Sequence, residues 1–242
     1  MVEVAGFRIA DYGDSGLLVD FSEQELDQAW LATHTLANRL REMNMKGIKS
    51  VIPTYASVYV HFNCARLDRQ TLVETITELA VDTSESSAGD LEQGRHFRIP
   101  VLFGTQWGED LPNVAAQLGI SQTEVVDLFC SKAYKIMCLA SPIGQPLLDA
   151  PPFEKEVSRL PSPRTLLPAG SLAVAGRQAC IYTLESPGGW QLIGQTPIKL
   201  VHLEQIPPVH YKPGDFLQFF PIAEKEFDLY KGKTVLEMEV IE

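Results

Sequence analysis

The residues of this chain best suited to holding a small molecule fall in four runs. They are Pro163-Arg164-Thr165-Leu166-Leu167-Pro168-Ala169-Gly170-Ser171, Gly176-Arg177-Gln178 with Tyr182, Ser186-Pro187-Gly188-Gly189-Trp190, and Gly194-Gln195-Thr196-Pro197. Two glycines before a tryptophan let the backbone turn sharply and approach a ligand, and the indole supplies a wide wall with one donor. Arg164, held between prolines, is a stiffly presented fork suited to a carboxylate or phosphate. Gln178, Tyr182 and Ser186 offer hydrogen bonds, Trp190 a pocket wall, and Gly188, Gly189 and Thr196 fill out the expected substrate-binding set. No general base stands among them. The same residues also serve as ordinary corners of a β-rich domain, so the types alone leave both readings open.

Other chemistries are poorly supported. Lys231-Gly232-Lys233-Thr234 ends like a phosphate-binding loop, but the position of its first glycine holds Phe227. Ser186 lacks a G-x-S-x-G frame, and His202 and His210 are candidates for a triad only by proximity. His61, on a strand face opposite Val60, reads as a structural or interface histidine. Cys64, Cys130, Cys138 and Cys180 form no C-x-x-C and no zinc spacing with histidine, so they read as reduced core thiols with no metal site. The stretch from Val114 to Val126 has the form of a helix-turn-helix with Gly119 at the turn. Its second helix offers Gln122, Thr123, Glu124 and Asp127, with no basic residue before Lys132, where phosphate contacts would need one.

The charge balance points the same way. The net charge is −11, with 7 basic and 15 acidic residues in positions 1–94 and 13 and 16 in the remainder. Such a surface repels nucleic acid and anionic lipid and favours small molecules or protein partners. No window reaches the roughly 20 apolar residues of a membrane span, and no basic-then-apolar leader opens the sequence. A cytoplasmic protein is expected.

These side chains must be positioned by two units, since 242 residues exceed one common domain. The expected boundaries are a domain over 1–81, a polar linker over 82–94, and a second domain over 95–242. In the first, Gly16 to Phe21 reads as a strand. Ser22-Glu23-Gln24-Glu25 has capping-box spacing and should start a helix running to a stop at Gly47. Strands over Ile48 to Pro53 and Ala56 to Phe62 and a helix from Asp68 to Val81 complete a small open α/β sandwich. In the second, a strand over Phe97 to Val101 precedes helices over Asp110 to Leu118 and Ser121 to Cys130. Short apolar runs at Ser171 to Ala175, Cys180 to Leu184, Gln191 to Ile193, Ile198 to His202 and Phe216 to Phe220 then alternate with Gly/Pro turns, as in a closed or nearly closed β-barrel. The fold class is therefore α+β.

The ordered runs P-R-x-x-x-P-A-G-S, E-S-P-G-G-W and I-G-x-T-P, with Gly13 to Phe21, Pro53 to Phe62, Pro213-Gly214-Asp215 and Phe220-Pro221-Ile222, resemble the family that includes the B-type subunit of 5-oxoprolinase, KipI and allophanate hydrolase subunit 1. That resemblance implies an N-terminal α/β domain and a C-terminal cyclophilin-like barrel. It implies a partner, a C-type subunit or a KipA-like protein, and in the 5-oxoprolinase members a third subunit. There the complex uses ATP to open 5-oxoproline to glutamate; in related members the substrate is an allophanate or urea-type amide. It implies a non-autonomous hydrolase subunit, or alternatively a KipI-like regulator that binds and inhibits a histidine kinase. One segment departs from the family: its G-F-x-P-G-F-P-Y corresponds here to Ala140 to Leu147, where only Gly144 and Pro146 fit.

Overall fold

The structure, a computed structural model, describes residues 2–4, 6–83, 94–141 and 143–240. It divides into two compact units, Met1–Glu92 and Gln93–Glu242.

The first unit is built from strands β1 (Val2–Val4), β2 (Phe7–Asp11) and β3 (Gly16–Asp20), helix α1 (Leu26–Glu42), strands β4 (Ile48–Pro53) and β5 (Ser57–Phe62), and helix α2 (Arg69–Thr83). The strands form one antiparallel sheet in the order β1-β2-β3-β5-β4. Period-two alternation sends Val58, Val60 and Phe62 of β5 into the core beside Leu17 and Val19, where Leu36, Leu40, Leu72 and Ile76 of the helices cover them. Removing such side chains from water is the main stabilising term of the layer pair.

Helix α1 starts later than the capping-box spacing predicts. The Ser22 amide is taken by the Asp20 carboxylate at 2.9 Å, and Glu25 occupies the cap position without a side-chain bond. A local Asx-type turn therefore competes successfully for the Ser22 donor. The helix also ends before Gly47, because Asn44 already takes a left-handed conformation with φ 45°. Helix α2 runs into the segment expected to be linker, and residues 84–93 of that segment lie outside the described residues.

The second unit contains β6 (His96–Phe103), helices α3 (Leu111–Leu118) and α4 (Gln122–Cys130), and strands β7 (Ala133–Ala140), β8 (Gln145–Leu148), β9 (Arg164–Leu167), β10 (Ser171–Ala175), β11 (Gln178–Ile181), β12 (Ser186–Gly188), β13 (Gln191–Gln195) and β14 (Phe216–Pro221). A short helix α5 (Phe227–Tyr230) and strand β15 (Glu239–Val240) follow. Strands run β13-β10-β11-β8-β7-β14-β6, and β6 pairs back onto β13 through Gly194↔Phe103 and Gln195↔Leu102. Seven strands thus close a barrel, as expected of the α+β, cyclophilin-like class. Only β14 and β6 run parallel within that barrel.

The barrel interior is packed. Phe97, Ile99, Tyr134, Ile136, Leu172, Ile181, Ile193 and Phe219 fill it, with Val114, Leu118, Val125 and Phe129 of the two helices. Those helices are joined by Gly119 at φ 78°, and α4 begins with the reciprocal Ser121/Glu124 capping box. Their apolar faces are spent on the barrel core, which accounts for the helix-turn-helix pattern.

Two expectations need correction. The run Ile198 to His202 is buried apart from Lys199 but is no strand: Lys199 N–H goes to Lys233 O and His202 N–H to Pro208 O, leaving only an isolated bridge to Thr234. Cys64 is exposed and Cys130 half-buried, so only Cys138 and Cys180 are core thiols.

Candidate functional site

With the interior filled, a ligand must bind on the outside of the barrel. The alternation that turns Leu172, Ile181 and Ile193 inward turns Ala173, Cys180 and Leu192 outward, yet these three are also buried. The cover is a two-stranded ribbon, β9 paired with β12 through Ser186↔Leu167 and Gly188↔Arg164. Leu167 of the ribbon packs with Ala173, Cys180, Tyr182 and Leu192, and Leu147 and Trp190 lie against the same cluster. This small second core fixes the ribbon on the outer face.

Tyr182 and Trp190 are the centre of the site. Tyr182 is 6% exposed. Gly188 lies so close to its phenol that a Cβ there would stand against Tyr182 Oη and 2.6 Å from Leu167 Cδ1. Burial pushes the Tyr182 phenol up to about 12, with the nearby Cys180 acting the same way and the Trp190 amide and Arg159 charge opposing. The hydroxyl is therefore protonated across the physiological range. Arg159 stands 5.9 Å from the Trp190 ring centroid, at the limit of a cation–π contact. The Leu160 amide donates to Gly189 O at 2.8 Å, which ties the segment carrying Arg159 to the glycine pair. Arg159 makes no ion pair among the described residues.

Arg164 departs from its expected role. Its Nη1 and Nη2 bond the two carboxylate oxygens of Asp110 at 2.9 and 2.8 Å, and its Nε faces Glu109 at 3.0 Å. Every nitrogen of the guanidinium is already satisfied by a carboxylate, so this residue fastens β9 rather than presenting an open anion fork. Asp110 also accepts the Leu192 amide at 2.7 Å, which links the ribbon to β13. Asp110 sits at the α3 cap position yet makes no capping bond. Sequence reading takes it for a helix start, and no local signal points to its distant partners.

The remaining expected residues separate. Gln178 pairs with Ala175 at one end of β11, whereas Tyr182 lies at the other end, where its amide bonds Ser171 O. Four residues of strand place them about 13 Å apart, so Gln178 is not at the same site. Thr196 lies at the Tyr182 end: its amide bonds Gly170 O, and Gly170 N–H bonds Tyr182 O. Its side chain is buried and 3.5 Å from the Ile198 amide. Ser186 sits half-buried on β12, and no hydrogen bond joins it to His202 or His210 among the described residues. His202 is 4% exposed with Nε2 unpartnered.

Two residues on β8 were reached only through the departing family segment. Gln145 Nε2 donates to Cys180 Sγ at 3.2 Å, and Leu147 joins the outer cluster. Both therefore sit where the G-F-x-P-G-F-P-Y pattern would place aromatic rings. The cluster combines an indole, an unpaired guanidinium and a protonated phenol, groups whose chemistry suits binding and orienting rather than nucleophilic attack. Among the described residues no group of three or more His, Cys, Asp or Glu is placed to hold a metal. No helix among them is long and apolar enough to cross a membrane.

A sheet-and-helix unit followed by a closed barrel with a ribbon-covered outer face defines the class of protein. Residues 7–211 match the family model described as carboxyltransferase domain, subdomain C and D, and the chain belongs to that family, within its branch of B-type 5-oxoprolinase subunits and allophanate hydrolase subunits. It is 32% identical to the B-type subunit of 5-oxoprolinase from Bacillus subtilis (strain 168) over 94% of this chain and 98% of that protein. It is 35% identical to the protein of the same name in Escherichia coli O157:H7, over 78% and 84%. Among solved structures, that of TTHA0988 is similar with a TM-score of 0.73 and 31% identity, covering 86% of this chain. This chain spans 40% of that longer one.

Proposed function

We propose that this chain is a B-type subunit of an ATP-dependent amidohydrolase complex that opens 5-oxoproline to glutamate. The observation that carries the reading is the near end-to-end likeness to the B-type subunit of 5-oxoprolinase, 32% identical over 94% of the chain, with the outer-face cluster as the chain's share of the substrate site. A C-type subunit is the partner that supplies the rest, alongside a third subunit.

A lactam is a poor electrophile, because the ring nitrogen donates into the carbonyl. Transfer of a phosphoryl group from ATP to the lactam oxygen makes the ring carbon open to water. This chain has no Walker-type phosphate-binding loop, so nucleotide is held by another architecture, shared with the partner. Its own residues bind: Arg159 holds the substrate carboxylate, Tyr182 donates a hydrogen bond from a phenol that stays protonated, and Trp190 walls the ring. Ser186 adds a hydroxyl at the ribbon edge.

The test is reconstitution with the C-type and third subunits, measuring glutamate released from 5-oxoproline with ATP. Glutamate formation that depends on this chain is expected. An assembled complex that hydrolyses ATP but releases no glutamate overturns the assigned reaction.

A further inference from the structure

Helix α3 has an apolar and a polar face. Leu111, Val114, Ala115 and Leu118 go into the barrel core. Beside them Asp110, Asn113 and Gln117 recur at spacings of three and four residues, which sets them in one stripe along the helix. Each reaches a different point of the chain. Asp110 takes Arg164 and the Leu192 amide. Asn113 Nδ2 donates to Gln191 Oε1 at 3.0 Å, and Gln117 Oε1 accepts the Ser158 amide at 2.8 Å.

Gln191 is the centre of this ladder. It is 1% exposed, and its Nε2 donates to Ser158 O at 2.9 Å. A backbone carbonyl only accepts and a backbone N–H only donates, so Ser158 fixes the orientation of both glutamines. The nitrogen of Gln191 must face its carbonyl and the oxygen of Gln117 its amide. With Asn113 on its oxygen, Gln191 is bonded at both ends, as a buried amide must be.

These bonds hold the segment that carries Arg159. Val157 exchanges amide-to-carbonyl bonds with Gly176 at 3.1 and 2.6 Å, and Leu160 N–H meets Gly189 O at 2.8 Å. Ser158 lies between them, bonded through both backbone groups to Gln117 and Gln191. The two neighbours of Arg159, Ser158 and Leu160, are therefore tied to the two neighbours of Trp190, Gln191 and Gly189. The guanidinium and the indole, 5.9 Å apart, are bracketed on either side. Fixing the backbone on both sides of an arginine leaves only its stem to be ordered when an anion binds.

We infer that Gln191, with Gln117 as its counterpart on the Ser158 amide, is a positioning residue that sets Arg159 against Trp190 to receive a carboxylate. The inference rests on the carboxylate-holding role of Arg159 proposed above. Gln191 is buried and spends its amide on Asn113 and Ser158, so it acts through the backbone beside Arg159 and not by touching substrate. Its effect falls on how well the carboxylate is received, not on the ring-opening step.

The experiment measures KM and kcat for 5-oxoproline in the reconstituted complex, and hydrogen exchange of the Leu160 amide in the full chain alone. Gln191→Leu and Gln117→Met should each raise KM by about tenfold with kcat little changed, and should speed Leu160 exchange. Gln117 is only half-buried, so its variant keeps the test open should Gln191→Leu fail to fold. Gln117→Glu keeps an acceptor for the Ser158 amide and should behave as wild type. In an Arg159→Ala background, Gln117→Met should raise KM no further, since it acts through the arginine already removed. Wild-type KM in both glutamine variants, with KM raised by Arg159→Ala, overturns the inference and leaves the role of Arg159 standing. Losses that multiply in the double variant do the same, and so does Leu160 exchange unchanged in both glutamine variants. KM unmoved by Arg159→Ala overturns that role and the inference together, as does an assembled complex that releases no glutamate.

Discussion

Arg164 and Asp110 meet in a two-pronged ion pair, with nitrogen–oxygen distances of 2.9 and 2.8 Å, that fastens the β9–β12 ribbon to the start of α3. Asp110 is 9% exposed at its side chain and Arg164 27%, so removing the cation strands a largely buried carboxylate. Arg164→Ala should destabilise the second unit by about 2 kcal/mol, which lowers the melting temperature by several degrees. Arg159→Ala, with an exposed and unpaired guanidinium, should leave the melt unchanged and weaken substrate binding in the assembled complex. Differential scanning fluorimetry on both variants, with KM for 5-oxoproline, separates the two arginines.

The two glycines of the ribbon should respond in opposite ways. A Cβ at Gly188 would meet Tyr182 Oη and Leu167 Cδ1, whereas at Gly189 the nearest atom is 3.6 Å away, on Pro163. Gly188→Ala must push the phenol or lift the ribbon and should cost about 1–3 kcal/mol. Gly189→Ala should fall within about 0.5 kcal/mol of wild type, as at an ordinary surface site. Equal losses in urea titrations of the two variants would contradict this placement of Tyr182.

Much of the scaffold was legible because its signals are local. The apolar faces of α1 and β5 follow from period, and α3 and α4 from the helix-turn-helix form with Gly119 at its turn. The site was legible in part. The S-P-G-G-W run singles out Trp190 as a candidate wall, but the ribbon strand β12 carries no apolar run to mark it, and the partners of Arg164 stand 54 residues away at Asp110, where no spacing rule reaches. Gln178 and Tyr182 are four apart in sequence, and an extended strand carries such residues to opposite ends. Arg159 carries no motif; only the folded chain brings it to Trp190.

The pH profile of stability should show the Tyr182 phenol. Its folded pKa is raised from 10.0 to about 12, mainly by burial. Below pH 10 both states hold the proton and the full contribution is present. As the pH rises through 10 towards 12 the unfolded state loses its proton first and stability falls. Tyr182→Phe should flatten that fall, measured by urea unfolding across the alkaline range, and should remove one late-titrating group from the phenolate absorbance.

Thiol reactivity should follow burial. Cys64 is exposed, whereas burial raises the thiols of Cys138 to about 11 and of Cys130 and Cys180 to about 12. Since the thiolate is the reacting form, native protein should label rapidly at one position, and Cys64→Ser should abolish that fast phase. In denaturant the wild type should label at all four.

The β8 strand should govern which ligand the site accepts. Gln145 and Leu147 stand where the family segment carries aromatic residues, and both contact the outer-face cluster, Gln145 through Cys180 and Leu147 by packing. A ring at either position would enlarge the apolar wall beside Trp190 and remove the Gln145 amide. Gln145→Phe with Leu147→Tyr should therefore lower KM for 5-oxoproline in the reconstituted complex by several-fold, because extra apolar contact favours a small flat ring held edge-on. On the proposed reading the gain should appear in KM rather than in kcat, since these side chains border the aromatic wall and offer no acid, base or nucleophile. A higher KM in the double variant would mean that the Gln145 amide itself recognises the substrate, and Gln145→Leu should then reproduce the loss alone.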